Sequence, residues 1–208
     1  DRTLNAGAAG FMLPSFCPER QYNLPDWDPI WARLEEAGKV ATFHLGGDTS
    51  NVYGRSHGPG AGGIVCAVKT MMNETMQQVI WGGAPMRFPR MRWSMCEGGT
   101  GWIACALGYM DHWWQDHQGW MQPRLPKPPS FYFRRNFIGT FEDDLAGLLT
   151  RHLIGVENLH WGADYPHTEG VWPFSRQFIA RQFADLPAQE TRLIVHDNIA
   201  RTFGFPVA

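Results

Sequence analysis

The residues best able to do chemistry recur at one kind of place. His44 closes Lys39-Val40-Ala41-Thr42-Phe43, Glu97 follows Met91-Arg92-Trp93-Ser94-Met95-Cys96, Asp143 lies just after Phe131 to Thr140, and Asp164 ends the run from Asn158. Each follows a stretch of strand length and precedes a stretch with helical pattern. Imidazoles and carboxylates serve as general acids and bases and as ligands for divalent metals. At Asp164 the following Tyr165-Pro166-His167 forbids the strand from continuing, so a carboxylate stands where α/β enzymes place their chemistry.

The elements that position these groups alternate. Gly10-Phe11-Met12-Leu13 reads as a strand closed by Pro14, and Lys39 to Phe43, Met91 to Cys96, Phe131 to Thr140 and Asn158 to Asp164 read as four more. Between them, Asp28-Pro29 opens a helix that Gly38 stops, with Trp27, Ile30, Trp31 and Leu34 on one face. Val65 to Trp81, Trp102 to His117, the segment after Asp144, Phe174 to Ala184 and Pro187 to Phe203 read as further helices, and residues 49 to 63 as a Gly-rich loop over a site. Five strands alternating with helices predict parallel βα units, with the candidate residues on one rim. A doubly wound open sheet is the other option, but no strand is followed by a phosphate-binding glycine fingerprint. Period-2 alternation puts His44 in phase with Thr42, Glu97 with Met95 and Trp93, and Asp164 with Gly162 and His160, which predicts that the three ends converge.

Composition sets the remaining bounds. With 208 residues, 44% hydrophobic and 18% charged, the chain suits a single domain spanning 1–208. A net charge of −2 gives no reason to expect nucleic acid or an anionic membrane as partner. Cys17, Cys66, Cys96 and Cys105 form no CxxC pair and sit in or beside apolar runs, which predicts buried reduced thiols and a cytoplasmic protein. No apolar run approaches the roughly 18 residues of a membrane span, and no leader is recognisable.

His44-Leu45-Gly46-Gly47, Glu97-Gly98-Gly99-Thr100-Gly101-Trp102, Gly162-Ala163-Asp164-Tyr165-Pro166-His167 and Asp197-Asn198-Ile199-Ala200-Arg201 occur in that order. Together they resemble the amidohydrolase-related family of metal-dependent (β/α)8 enzymes, which contains aminocarboxymuconate semialdehyde decarboxylase and its hydrolase relatives. The resemblance implies a TIM-type barrel of which this chain supplies the C-terminal portion, with its five parallel strands as the fourth to eighth. It implies one divalent metal, zinc in the first instance, with His44 and Asp164 among its ligands. Two features depart from the family pattern. Glu97 stands where decarboxylase members carry a His, and the His-x-His or Glu-x-His pair of the first strand does not occur in these residues.

The expected function is metal-dependent hydrolysis of a small ester, lactone or amide through a metal-activated water, with Asp164 taking the proton and Glu97 assisting. His167 either hydrogen-bonds in the site or fixes the loop after Pro166. Non-oxidative decarboxylation is the alternative, and a truncated, inactive barrel the second. The exposed strand edges of an incomplete barrel invite association with further copies. Asp143 is expected as a helix cap more than a site residue, and Trp102 and Trp172 as packing more than pocket lining. His57, His112, His117, His152 and His196 are expected at the surface or satisfied in the core, and Asn198 as a tie between the last helix and the barrel floor.

Overall fold

The computed structural model describes residues 1–47 and 58–206. After a single helical turn at Arg2–Asn5, the first longer helix, α1 (Asp28–Glu36), has Pro29 in its first turn and stops before Gly38, whose φ of 62° only glycine adopts freely. Asp28 does not cap it; both its carboxylate oxygens accept from Arg87, at 2.8 Å each.

Five strands follow one another through a single sheet: β1 (Gly10–Phe16), β2 (Val40–Gly47), β3 (Arg92–Met95), β4 (Phe137–Phe141) and β5 (Leu159–Trp161). Spatial order equals sequence order and every neighbouring pair is parallel. A doubly wound sheet reverses direction partway, and this one does not, so the strands form an arc of a TIM-type α/β barrel.

Register assigns the two faces. Leu13, Phe43, Met95, Gly139 and Leu159 align across all five strands. This face meets the helices: Phe43 packs edge-on against Tyr22 and Trp31, and Trp93 stacks on Phe137 with ring centroids 5.3 Å apart. At Gly139 an added Cβ would lie 2.7 Å from the Ile103 side chain, so the absence of one lets α4 (Gly101–His117) press onto the sheet. Met12, Thr42, Ser94 and Ile138 align on the opposite, concave face. Met12 is 68% exposed there, because β1 has no further strand beside it among the described residues.

Several boundaries differ from expectation. Residues 131–136 are helical, in α5 (Pro129–Asn136), and the strand occupies only Phe137–Phe141. Pro129 starts that helix, and Tyr132 and Phe133 are buried by it, so packing overrides the strand preference of the aromatic run. The Val65–Trp81 helix divides at Met71 into α2 (Ala61–Thr70) and α3 (Met72–Trp81). Pro187–Phe203 begins as α7 (Ala188–Arg192), widens into a π-helical turn at Leu193–Asp197 and ends as α8 (Asn198–Phe203). Strand β1 runs through Pro14 to Phe16 as an edge, where a missing N–H is tolerated. Cys66 and Cys105 are exposed, against the expectation of burial. Most of the predicted 49–63 loop, with His57, lies outside the described residues. No helix among the described residues is long and apolar enough to cross a membrane.

Candidate active site

The site forms where β2, β3, β4 and β5 end. His44 is the fifth residue of β2 and lies in register with Pro14 on the concave face, as its phase predicts. Glu97 reaches the same rim by another route. Trp93 and Met95, with which its phase was expected to agree, point the other way into the helix layer, and Glu97 is turned back by a left-handed backbone, φ 64°. Its N–H is held by Thr140 Oγ1 at 2.7 Å, so β4 fixes the turn at the end of β3. Asp164, three residues beyond β5, has φ 51°; with Glu97 it makes the pair of non-glycine residues with positive φ among those described. Positive φ in functional loops is strain kept in place by the surroundings.

Two carboxylate–imidazole pairs result. His44 Nε2 lies 2.5 Å from Glu97 Oε2, and His167 Nδ1 lies 2.9 Å from Asp164 Oδ2. His167 Nδ1 is also 3.6 Å from Glu97 Oε1 and 3.6 Å from Glu169 Oε1. The predicted residues His44, Glu97, Asp164 and His167 are thus linked in one chain of contacts. Glu97, Asp164, His167 and Glu169 each offer a ligand atom within 4.8 Å of the others, close enough to surround one cation. Three carboxylates and one imidazole form an oxygen and nitrogen donor set that suits divalent zinc or manganese.

Glu142, Lys69, Glu169 and Cys96 are the residues that sequence reading missed. Lys69, in the last turn of α2, places Nζ 3.4 Å from Glu169 Oε2 and 3.7 Å from Glu142 Oε2. Burial, then the charges of Glu97 and Asp164, push the Glu142 carboxyl up to about 7 against the opposing pull of Lys69. Lys69 is itself held above the usual lysine range: Glu142, Glu169 and Glu97 outweigh the larger single effect of its burial. Cys96 carries a thiol that burial pushes up, with Thr140 opposing and Glu97, Glu142 and Asp164 adding. Four rim carboxylates facing one ammonium leave an excess of negative charge, which a bound divalent cation would offset.

Asp143 is not the helix cap. Asp144 is: its Oδ1 accepts from Gly147 N at 2.9 Å at the start of α6 (Leu145–Leu149). Its Oδ2 accepts from Thr100 N at 2.5 Å, Thr100 Oγ1 at 3.0 Å and Gly101 N at 2.8 Å, which ties the loop carrying Glu97 to the end of β4. Asp143 instead pairs at the surface with Arg181 at 2.6 Å. Trp102 donates from Nε1 to Gly98 O and Gly99 O and so braces that same loop, while Trp172 is exposed. Asn198 Nδ2 donates to Val156 O and Leu159 O, the predicted tie between α8 and the end of the barrel opposite the site.

Comparison with known proteins agrees with this architecture. The amidohydrolase family matches residues 1–205. No curated protein matches the chain. An amidohydrolase of Mycobacterium avium subsp. paratuberculosis superposes with a TM-score of 0.81 at 24% identity, covering 100% of this chain and 54% of that one. The 5-carboxyvanillate decarboxylase of Sphingomonas paucimobilis gives 0.80 at 23% identity over 96% and 59%. The 5-carboxyvanillate decarboxylase of Novosphingobium aromaticivorans, solved with manganese, gives 0.75 at 18% identity over 98% and 60%. The chain therefore spans little more than half the length of these solved structures.

Proposed function

The chain belongs to the amidohydrolase family, and from that premise and the rim geometry we propose metal-dependent hydrolysis of a small organic ester, lactone or amide. The observation that carries the reading is the pair of carboxylate–imidazole contacts, His44–Glu97 at 2.5 Å and Asp164–His167 at 2.9 Å, beside a group of donors able to hold one cation. Asp164, an expected ligand, would hold the metal together with Glu97, His167 and Glu169, whereas His44, the other expected ligand, stands outside that group of four and adjoins it through Glu97. Three carboxylates to one imidazole is a harder set than zinc usually takes, so manganese is as suitable as zinc. When bound, the metal supplies Lewis acidity that lowers the pKa of a water and polarises a carbonyl.

The protein's own groups do the remaining work. Asp164 takes the proton of the attacking water; in the metal-free protein that carboxylate is met by His167 Nδ1 at 2.9 Å, a contact that holds the two side chains together at the rim. The proton taken by Asp164 then passes to the leaving group, with Glu97, backed by His44, assisting. The test is to measure bound zinc or manganese in the purified protein and to assay a panel of small esters, lactones and amides. Hydrolysis should depend on the added metal and fall roughly 10²-fold or more in Asp164→Asn. Hydrolysis indifferent to that change would remove the assignment.

Decarboxylation is the second reading. It is favoured by the relatives solved as carboxyvanillate decarboxylases and by Glu142, a rim carboxyl able to donate a proton to carbon. Glu97 weighs against it, since a carboxylate lacks the cationic form of the His at this place in decarboxylase members. Release of carbon dioxide without ester or amide cleavage would reverse the order of the two.

A further inference from the structure

We propose that the helical face of the protein carries a second binding site, a groove centred on Trp81 that takes a neutral oligosaccharide. Three clefts of about 410, 250 and 230 Å³ share Trp81 in their lining and so form one groove. It lies against α3, the second half of α4 and the loop that follows α4, and no residue of the rim donor group lines it. Part of the lining is amide, from Asn23, Asn73, Gln77, Gln78 and Gln122. The rest is largely aromatic: beside Trp81 stand Tyr109, Trp113 and Trp120, which are 66%, 47% and 67% exposed. Among the described residues Glu74 is the one charged side chain that lines the groove.

The chemistry of the lining selects the ligand. With no Lys or Arg and a single carboxylate among the described lining residues, the groove attracts neither a polyanion nor a polycation. Gln77 Nε2 donates to Asn73 Oδ1 at 3.0 Å, which sets two amides side by side and leaves the Gln77 oxygen and the Asn73 amino group unspent. The side chains of Asn23 and Gln122 make no hydrogen bond with the described residues. An adjacent acceptor and donor match neighbouring hydroxyls, each of which both donates and accepts. The rings supply the other half of the match. Trp113, His117 and Trp120 follow one another with ring centroids 4.3 and 5.8 Å apart, a run on which the C–H faces of successive sugars can lie. Their indole nitrogens are also spare. Trp27, Trp102, Trp114 and Trp161 donate to backbone carbonyls, whereas Trp81, Trp113 and Trp120 donate to no described residue. An apolar ring with a free N–H at its edge suits a ligand with an apolar face and a rim of hydroxyls.

The experiment is calorimetric titration of the whole chain with cellohexaose, with maltohexaose and with hexaethylene glycol, a flexible chain that has ether oxygens but no ring faces. Wild type should bind at least one of the two hexaoses at millimolar concentration and should not bind the glycol. Affinity should fall at least tenfold in the double variant Trp113→Ala/Trp120→Ala, which removes two stacking surfaces, and stay within about threefold in Trp120→Tyr, which keeps a ring. Gln77→Ala should fall between the two. Absence of binding by both hexaoses, equal binding of the glycol, or undiminished binding in the double variant overturns the proposal. Where the double variant does not fold, Gln77→Ala and Gln122→Ala decide, and unchanged affinity in both overturns it. Sedimentation of the same samples reads the competing occupant. A wild-type dimer that the double variant converts to a monomer, with no hexaose bound, makes this face a contact between two copies and also overturns the proposal.

Discussion

Glu97 and Asp164 adopt the same unusual backbone, φ 64° and 51°, at the ends of two strands separated in the sheet by β4. Both carboxylates are turned towards His167 by that conformation, Asp164 at 2.9 Å and Glu97 at 3.6 Å. Two strand ends that would otherwise send their side chains to alternating faces are made to face one point. The left-handed region is disfavoured for a residue with a Cβ, and Asn and Asp tolerate it best.

Asp164→Asn therefore separates chemistry from folding. Asparagine fits φ near 51° and can still bond His167, so the thermal midpoint should stay within a few degrees of wild type. Metal affinity and hydrolytic rate should both drop, the rate by roughly 10²–10⁴-fold. Calorimetric metal titration and a melting curve on one preparation check the two halves. A large loss of stability would show Asp164 to be structural.

Glu97→Gly runs the opposite trade. A glutamate at φ 64° carries a strain of about 1 kcal/mol or more that glycine does not, although glycine costs more chain entropy on folding. The variant should unfold in urea at a concentration equal to or above that of wild type while losing metal affinity. A marked fall in stability would mean that the 2.5 Å contact with His44 outweighs the strain.

Much of this rim was legible in the sequence, because a polar residue between an apolar run and a helical pattern is what a barrel strand end looks like. His44, Asp164 and His167 are where that reasoning puts them. Glu97 was found for a partly mistaken reason: alternation would have followed Trp93 and Met95 to the helix side, and only a backbone turn that no local pattern announces brings it back. Glu142 was hidden within Glu142-Asp143-Asp144, where a capping signal competes with a site signal and three acids cannot be ranked. Lys69 and Glu169 meet from α2 and the loop after β5, 100 residues apart by their numbers, and nothing local encodes that distance. The helix at 129–136 was missed because a Phe-Tyr-Phe run favours a strand until its burial against neighbouring helices is known.

Asp144 should be a stability determinant whose loss reaches the site. One carboxylate accepts from Thr100 N, Thr100 Oγ1, Gly101 N and Gly147 N, and a Cβ at Gly147 would already overlap the Thr100 hydroxyl. Asp144→Ala removes a helix cap and strands several N–H groups, a destabilisation of roughly 3 kcal/mol. Because Thr100 and Gly101 follow Glu97-Gly98-Gly99, metal affinity should weaken as well. Asp144→Asn keeps one acceptor oxygen and should lose about half as much stability. Equal metal affinity in all three proteins would uncouple the cap from the rim.

His160 should govern the acid limb of stability. Its side chain is buried on β5, with Nε2 3.3 Å from Thr202 Oγ1, Nδ1 without a partner, and the guanidinium groups of Arg92 and Arg201 facing it. Burial first, then those two positive charges, lower its pKa to about 4 from the ordinary 6.5. The folded protein keeps the ring neutral in a range where the unfolded chain takes up a proton. The contribution is complete above pH 6.5 and is lost as pH falls towards 4, about 3 kcal/mol in all. Urea unfolding of the metal-free protein should show stability declining across that interval. His160→Leu, which has no proton to gain, should flatten the decline. If the variant keeps the full slope between pH 6.5 and 4, the acid sensitivity belongs to another group.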